Sequence, residues 1–275
     1  MAPSPSRRLV SAYVYAVVFL FVTPLAVHAQ NNPSTVAASS VSSSSESSSV
    51  SADGRDISPT LLPSNFLHDQ EQIFLFPREL AQGRYWSPTV IVASATLALL
   101  SADPHVDPYF NHTRAFGSFN HAFGSKLTGA ETIAIPSALY AIGFHRHDSY
   151  MQNTALFAGE AVADSEVVRV FINSVTMRWR PQDIYRRRTY SDTFFHSVSH
   201  VGSSFPSGHT IAAVAVATVI ARRYREHHWV PWVAYGLAGA IGFSRISLRA
   251  HFPSDVFLGG ILGYAIARYD VLQDR

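Results

Sequence analysis

The chain has 275 residues, 47% of them hydrophobic, a formal net charge of +2 and no cysteine. That length allows one sizeable core, and the small net charge gives no sign of a nucleic-acid-binding tail. The missing cysteines exclude disulfides, thiolate metal sites and a cysteine nucleophile. Of the 21 basic residues only Lys126 is lysine; the rest are arginine, whose forked donors match phosphate and carboxylate.

Arg7 and Arg8 precede an uncharged apolar run from Leu9 to Val22, and Val27-His28-Ala29 stands before Gln30. This pattern reads as a signal peptide over residues 1–29, cut after Ala29. The alternative is an uncleaved anchor, because the run is about long enough to cross a bilayer. Residues 30–69, with Ser42-Ser43-Ser44-Ser45, are rich in Ser and Ala and read as a flexible linker.

A single domain is expected over residues 70–270. Phe74-Leu75-Phe76-Pro77 looks like an entry segment. Ser87 to Ala102 is expected to form a helix that ends at Asp103-Pro104. Thr132 to Phe144 should form another, kinked at Pro136. Ala155 to Met177 has Val162, Val167, Val170 and Phe171 at helical intervals beside Glu160, Asp164, Glu166 and Arg169, so it should be amphipathic. Pro206-Ser207-Gly208-His209 opens a helix to about Tyr224. Trp229 to Ser244 and Val256 to Tyr269 complete an all-α bundle of about six helices. The cleanest uncharged runs, 85–102 and 227–244, fall short of a typical membrane span. They suggest a buried core and an exported bundle, on the periplasmic or extracellular face, that is soluble or peripheral to the membrane, with an integral membrane protein as the alternative.

Three polar clusters lie at helix ends. Arg178-Trp179-Arg180-Pro181 closes one helix, where cations offset the helix dipole. Pro206 to Thr210 is a Pro-Ser-Gly turn entering a helix; its exposed amides suit an anion, and Ser207 suits an ordinary N-cap. In Ser244 to Asp255, Pro253 is tolerated in a first helical turn. This sets His251 just before a helix start and Asp255 inside it, so that a carboxylate could hold one ring nitrogen and leave the other free to attack. Each cluster has a bland explanation. Together they supply arginines, amides, a hydroxyl and two histidines, which is what phosphoryl transfer requires.

The clusters resemble the three motifs of the type 2 phosphatidic acid phosphatase (PAP2) superfamily, which also holds bacterial acid phosphatases and vanadium haloperoxidases. Pro206-Ser207-Gly208-His209 matches the second motif. Ser244, Arg245, His251 and Asp255 match the third at full spacing. Arg180-Pro181 matches the end of the first, Lys-x6-Arg-Pro, but Asn173 stands at the lysine position.

The resemblance implies a PAP2-like helical fold and a phosphatase that acts on a phosphorylated lipid or a small organic phosphate without a cofactor. His251 would be the nucleophile and form a phosphohistidine. Asp255 would orient it, and His209 would be the general acid. Arg180, Arg245, Ser207 and Gly208 would bind the phosphate, with Asn173 as a weakened ligand and Arg178 as a possible compensating cation. No metal is implied. Two alternatives stay open: a haloperoxidase holding vanadate on His251, and a non-catalytic member that binds anions or lipids.

Outside the clusters, Asp103, His105 and Asp107 read as a Pro-rich connecting loop rather than a metal site. Arg186-Arg187-Arg188 reads as a solvated loop or a head-group contact. His196 and His200 lie near the second motif without an assigned role.

Overall fold

The computed structural model describes residues 57–124, 128–184, 190, 193–196 and 203–272. The signal stretch 1–29, the linker up to residue 56, Lys126, Arg186 to Arg188 and His200 lie outside the described residues. Among the described residues the secondary structure is entirely helical.

Helix α1 spans Leu62–Ala81, with Pro63 in its first turn, and takes in the Phe74–Pro77 segment. Helix α2 spans Trp86–His112. It runs straight through Pro104 and Pro108, so the expected stop at Asp103-Pro104 and the loop around Asp107 are not found. A proline inside a helix forfeits one backbone bond and crowds the preceding turn. Here the extra turns are held by two buried carboxylates. Asp103 Oδ2 accepts from Arg178 at 2.7 Å, and Asp107 Oδ1 accepts from Arg249 at 2.7 Å. These tertiary contacts outweigh the local signal.

Short α3 covers Gly117–Phe123, and α4 covers Thr128–Arg146 with Pro136 inside it. Helix α5, Ser149–Thr176, starts six residues earlier than expected because Asp148 caps it, accepting the Met151 N–H at 2.9 Å. It stops at Met177, whose φ of 42° is left-handed. The reversal lifts Arg178 off the helix and turns it inward. A single turn, α6 (Pro181–Ile184), follows. Helix α7 is Gly208–Arg223 and α8 is Trp229–Ser247. Helix α9, Pro253–Ala265, runs on into a π-helical turn over Ile266–Val271.

Helix α7 is the centre of the bundle, packed against α5, α8 and α9. Phe157, Ala158 and Ala161 of α5 meet Ala215, Val216 and Val219 of α7, closed over by Ile266, Ala267 and Val271. Helices α7 and α9 approach closely because α9 presents glycine where they touch. A β-carbon on Gly263 would lie 2.2 Å from the Ile211 carbonyl oxygen, and one on Gly259 would lie 2.8 Å from that of Ser207. This close approach brings the second motif onto the third.

The outer surface differs from the expected buried core. Only 11% of the apolar window of α2 is buried. Ile91 of α2 is 68% exposed, Phe144 of α4 is 67% exposed and Trp232 of α8 is 82% exposed, with Val90, Ile133, Ile142, Val233 and Leu237 beside them. Among the described residues one helix, α2, is long and apolar enough to cross a membrane.

Candidate functional site

The site is built where α8 hands over to α9. After Ser247 the chain turns through Arg249, whose φ of 56° is left-handed. The amides of Ala250 and His251 both donate to the Arg245 carbonyl, at 2.9 and 3.2 Å. Arg249 pins the turn from outside, donating from Nε and Nη2 to Asp107 at 2.7 Å each and from Nη1 to Asn111 at 2.6 Å. Asp255 folds back on the start of α9, and its Oδ2 accepts the Phe252 N–H at 2.8 Å. His251 therefore stands just before a helix N-terminus with Asp255 in the first turn.

The ring of His251 is buried. Its Nδ1 lies 2.8 Å from the Ser204 carbonyl oxygen and 3.8 Å from Asp255 Oδ2. A carbonyl only accepts, so Nδ1 carries the hydrogen and Nε2 keeps its lone pair. The ring is thus held by a backbone carbonyl, where a direct carboxylate contact was expected; 3.8 Å exceeds a hydrogen bond. The Asp255 carboxylate is occupied by Arg178 Nη1 at 2.5 Å, the Ser204 hydroxyl and the Phe252 amide. Burial alone would raise its pKa, but Arg178, His251 and Ser204 outweigh burial and hold it below the usual carboxylate range.

Arg178 is tied to the same carboxylate that faces His251. It is buried, and it gives Nη1 to Asp255 and to Ser254 Oγ at 2.8 Å, Nη2 to Asp103 at 2.7 Å and Nε to Thr193 at 3.2 Å. Its guanidinium carbon lies 4.1 Å from the Phe252 ring centroid. Asp103 also accepts from the Ser254 hydroxyl at 2.5 Å.

Arg180, two residues on, is placed differently. Its Nε is buried and has no hydrogen-bond partner among the described residues. Arg245 Nε donates to Ser244 Oγ at 3.0 Å and its Nη2 to the Phe123 carbonyl at 2.7 Å. Ser207 is buried; its hydroxyl accepts from Thr210 at 2.9 Å and its amide donates to the Asp255 carbonyl at 3.0 Å. That last bond ties the second motif to the third.

His209 lies in the first turn of α7. Its pKa is lowered to about 4, first by burial and then by the charges of Arg245, His251, Arg180 and Arg169. Its ring is therefore neutral near neutral pH, with cations around it.

Asn173 is buried on α5. With its amide oriented to suit both neighbours, Nδ2 donates to the Phe205 carbonyl and Oδ1 accepts from Arg169 Nη1 at 2.7 Å.

The structure thus brings His251, His209, Asp255, Arg180, Arg245, Ser207 and Gly208 together, buries Arg178 behind them and keeps Asn173 at the edge. Sequence reasoning missed Asp103, Ser204, Ser254 and Arg169. The spacing of Asp103 and Asp107, four apart on one helical face, was the available signal for α2. Outside the cluster, the rings of His196 and Trp179 pack at a 30° tilt, with centroids 4.6 Å apart.

Fold and site together give a helical bundle in which two histidines, His209 and His251, lie among the arginines Arg245, Arg180 and Arg169. Residues 154–273 match the family model described as PAP2 superfamily. A 75-residue stretch is 40% identical to undecaprenyl-diphosphatase BcrC of Bacillus subtilis, covering 26% of this chain and 37% of that protein. Another of 65 residues is 37% identical to lipid A 1-phosphatase of Porphyromonas gingivalis, covering 23% and 15%. A third of 69 residues is 36% identical to the bacitracin transport permease protein BcrC of Bacillus licheniformis, covering 25% and 32%. The chain spans little more than a third, or less, of the length of these relatives.

Proposed function

We propose that this chain is an exported, membrane-seated phosphatase that removes phosphate from a phosphorylated or diphosphorylated lipid through a phosphohistidine on His251. The observation that carries the reading is the His251 ring. The Ser204 carbonyl fixes hydrogen on Nδ1 and leaves Nε2 nucleophilic, and Arg180, whose charge acts on His209 together with that of His251, has a buried Nε with no partner among the described residues.

Nε2 attacks phosphorus, and the bond from phosphorus to the leaving oxygen breaks. His209 gives its proton to that oxygen. Water then attacks the phosphohistidine, His209 takes a proton from it, and inorganic phosphate leaves with His251 regenerated. Burial and the surrounding cations disfavour protonated His209 in the free site. A phosphate dianion reverses that balance, so substrate binding charges the acid that it needs. Arg180 and Arg245 neutralise the phosphoryl oxygens, each such contact contributing on the order of 1.5–3 kcal/mol.

The choice of a lipid rests on two supports. The relatives are named for undecaprenyl diphosphate and for lipid A, and the apolar outer faces of α2, α4 and α8 suit contact with acyl chains. Export rests on the pattern of residues 1–29.

The test is a rapid quench in alkaline detergent after mixing the full chain with a lipid phosphate labelled on phosphorus. Label should appear in acid-labile, base-stable form on residue 251, and His251→Ala should neither label nor turn over. Turnover by His251→Ala, or label elsewhere, would end this reading. Resistance of the chain to alkaline carbonate extraction checks the membrane seat.

A further inference from the structure

Arg169 precedes Asn173 by one helical turn on α5, and it crosses the Pro-Ser-Gly-His turn. A β-carbon on Gly208 would lie 2.4 Å from Arg169 Cδ and 3.1 Å from its Nε, so Gly208 leaves the space through which this side chain passes. Two groups hold its guanidinium. Asn173 Oδ1 accepts from Nη1 at 2.7 Å. Glu166 accepts from Nε at 2.7 Å and from Nη2. Three of the five N–H groups are thereby used, leaving two with no partner among the described residues. The two tethers are unequal. Asn173 is 2% exposed, whereas the Glu166 side chain is 55% exposed, and a solvated pair of this spacing contributes little. The charge reaches the reaction centre: with Arg245, His251 and Arg180 ahead of it, Arg169 is the last of the four charges that lower the His209 pKa.

We infer that Arg169 is a phosphate-binding residue of this site, held over the Gly208 turn by Asn173, and that it brings the cation which position 173 does not carry. The inference rests on the phosphatase reading. It makes Asn173 a positioning residue, and it gives the substrate phosphate a third guanidinium beside Arg180 and Arg245.

The test measures inorganic phosphate binding by calorimetry and steady-state hydrolysis of a lipid diphosphate on the purified full chain. Arg169→Met should weaken phosphate binding about tenfold or more, the loss expected for a charged hydrogen bond, and lower kcat/KM at least as much. Arg169→Lys should keep most of both. Asn173→Lys alone should weaken binding, because it sets a second cation against Arg169, yet in the Arg169→Met background it should restore part of the loss. That reversal of sign is not expected of a merely structural arginine. Phosphate affinity and kcat/KM in Arg169→Met within about twofold of the unmodified chain would overturn the inference, as would an Arg169→Lys no better than Arg169→Met. If Arg169→Met does not fold, Glu166→Gln decides: removing the competing carboxylate charge and one of its two acceptor oxygens should tighten phosphate binding, and unchanged or weaker binding overturns the inference. An unmodified chain that binds phosphate without hydrolysis removes the catalytic reading and leaves Arg169 to be judged on binding. A chain that binds none removes both.

Discussion

Arg178 Nη1 lies 2.5 Å from Asp255 Oδ1, and both side chains are shut away from solvent. The same guanidinium reaches Asp103 on α2 at 2.7 Å. Removing it strands two buried carboxylates, which typically costs about 3–5 kcal/mol. Arg178→Met is therefore expected to lower the Tm in detergent by many degrees, and Arg178→Lys to rescue little, since a single ammonium cannot reproduce the fork. An unchanged Tm with a raised KM would instead mark Arg178 as a substrate ligand.

Arg249 poses a contest between backbone and side chain. Its left-handed φ of 56° favours glycine, and relieving it is worth about 1–2 kcal/mol. The side chain holds Asp107 through two bonds and Asn111 through a third, and breaking a largely buried pair costs about 3–5 kcal/mol. The ion pair outweighs the backbone strain, so Arg249→Gly should destabilise on denaturant unfolding. A gain in stability would mean that the ion pair contributes almost nothing.

Two glycines to alanine should move in opposite directions. On Gly263 the added methyl meets the Ile211 carbonyl oxygen at 2.2 Å, and overpacking of this kind costs about 1–3 kcal/mol or more. It also pushes α7 from α9, so kcat should fall with stability. On Gly236 nothing lies within 4 Å, and reduced backbone freedom in the unfolded chain should stabilise by about 0.4–1 kcal/mol. Thermal melts and initial rates of the two variants check the pair.

His209 sets a pH signature. An unfolded imidazole titrates near 6.5, while His209 in the fold titrates at about 4. Between these values the unfolded chain binds the proton first, so stability is full above the upper value and is lost as pH falls toward the lower. His209→Gln should flatten that part of the stability profile. In a histidine-resolved NMR titration, added inorganic phosphate should move the His209 midpoint upward. A midpoint that ignores phosphate would separate His209 from the anion site.

The helical class, the helix openings at Gly208 and Pro253 and the meeting of the second and third motifs were legible in the residues, because periodicity and turn chemistry are local signals. The end of α2 was not. Asp103-Pro104 reads locally as a stop, and only distant Arg178 and Arg249 hold the helix beyond it. Burial of Arg178 was hidden for the same reason: Met177 turns left-handed and reverses the direction of the next side chain, which helical spacing cannot reveal. Run length alone does not reveal the outward faces of α2 and α8. Length bounds what a helix can cross, but says nothing of which neighbours cover it. At the site, Ser204 acts through its carbonyl oxygen, a group that every residue has, so its identity could not announce the role.

The enclosure of Arg178 by Asp103, Ser254 and Asp255 also bears on how this protein can vary. These four positions come from three distant parts of the chain, yet their charges and hydrogen bonds balance only as a set, and no one of them can change alone without stranding another. Across related chains they should be inherited as a block, kept together or replaced together by uncharged residues that fill the same volume. Arg169 and Asn173 should vary as a separate pair.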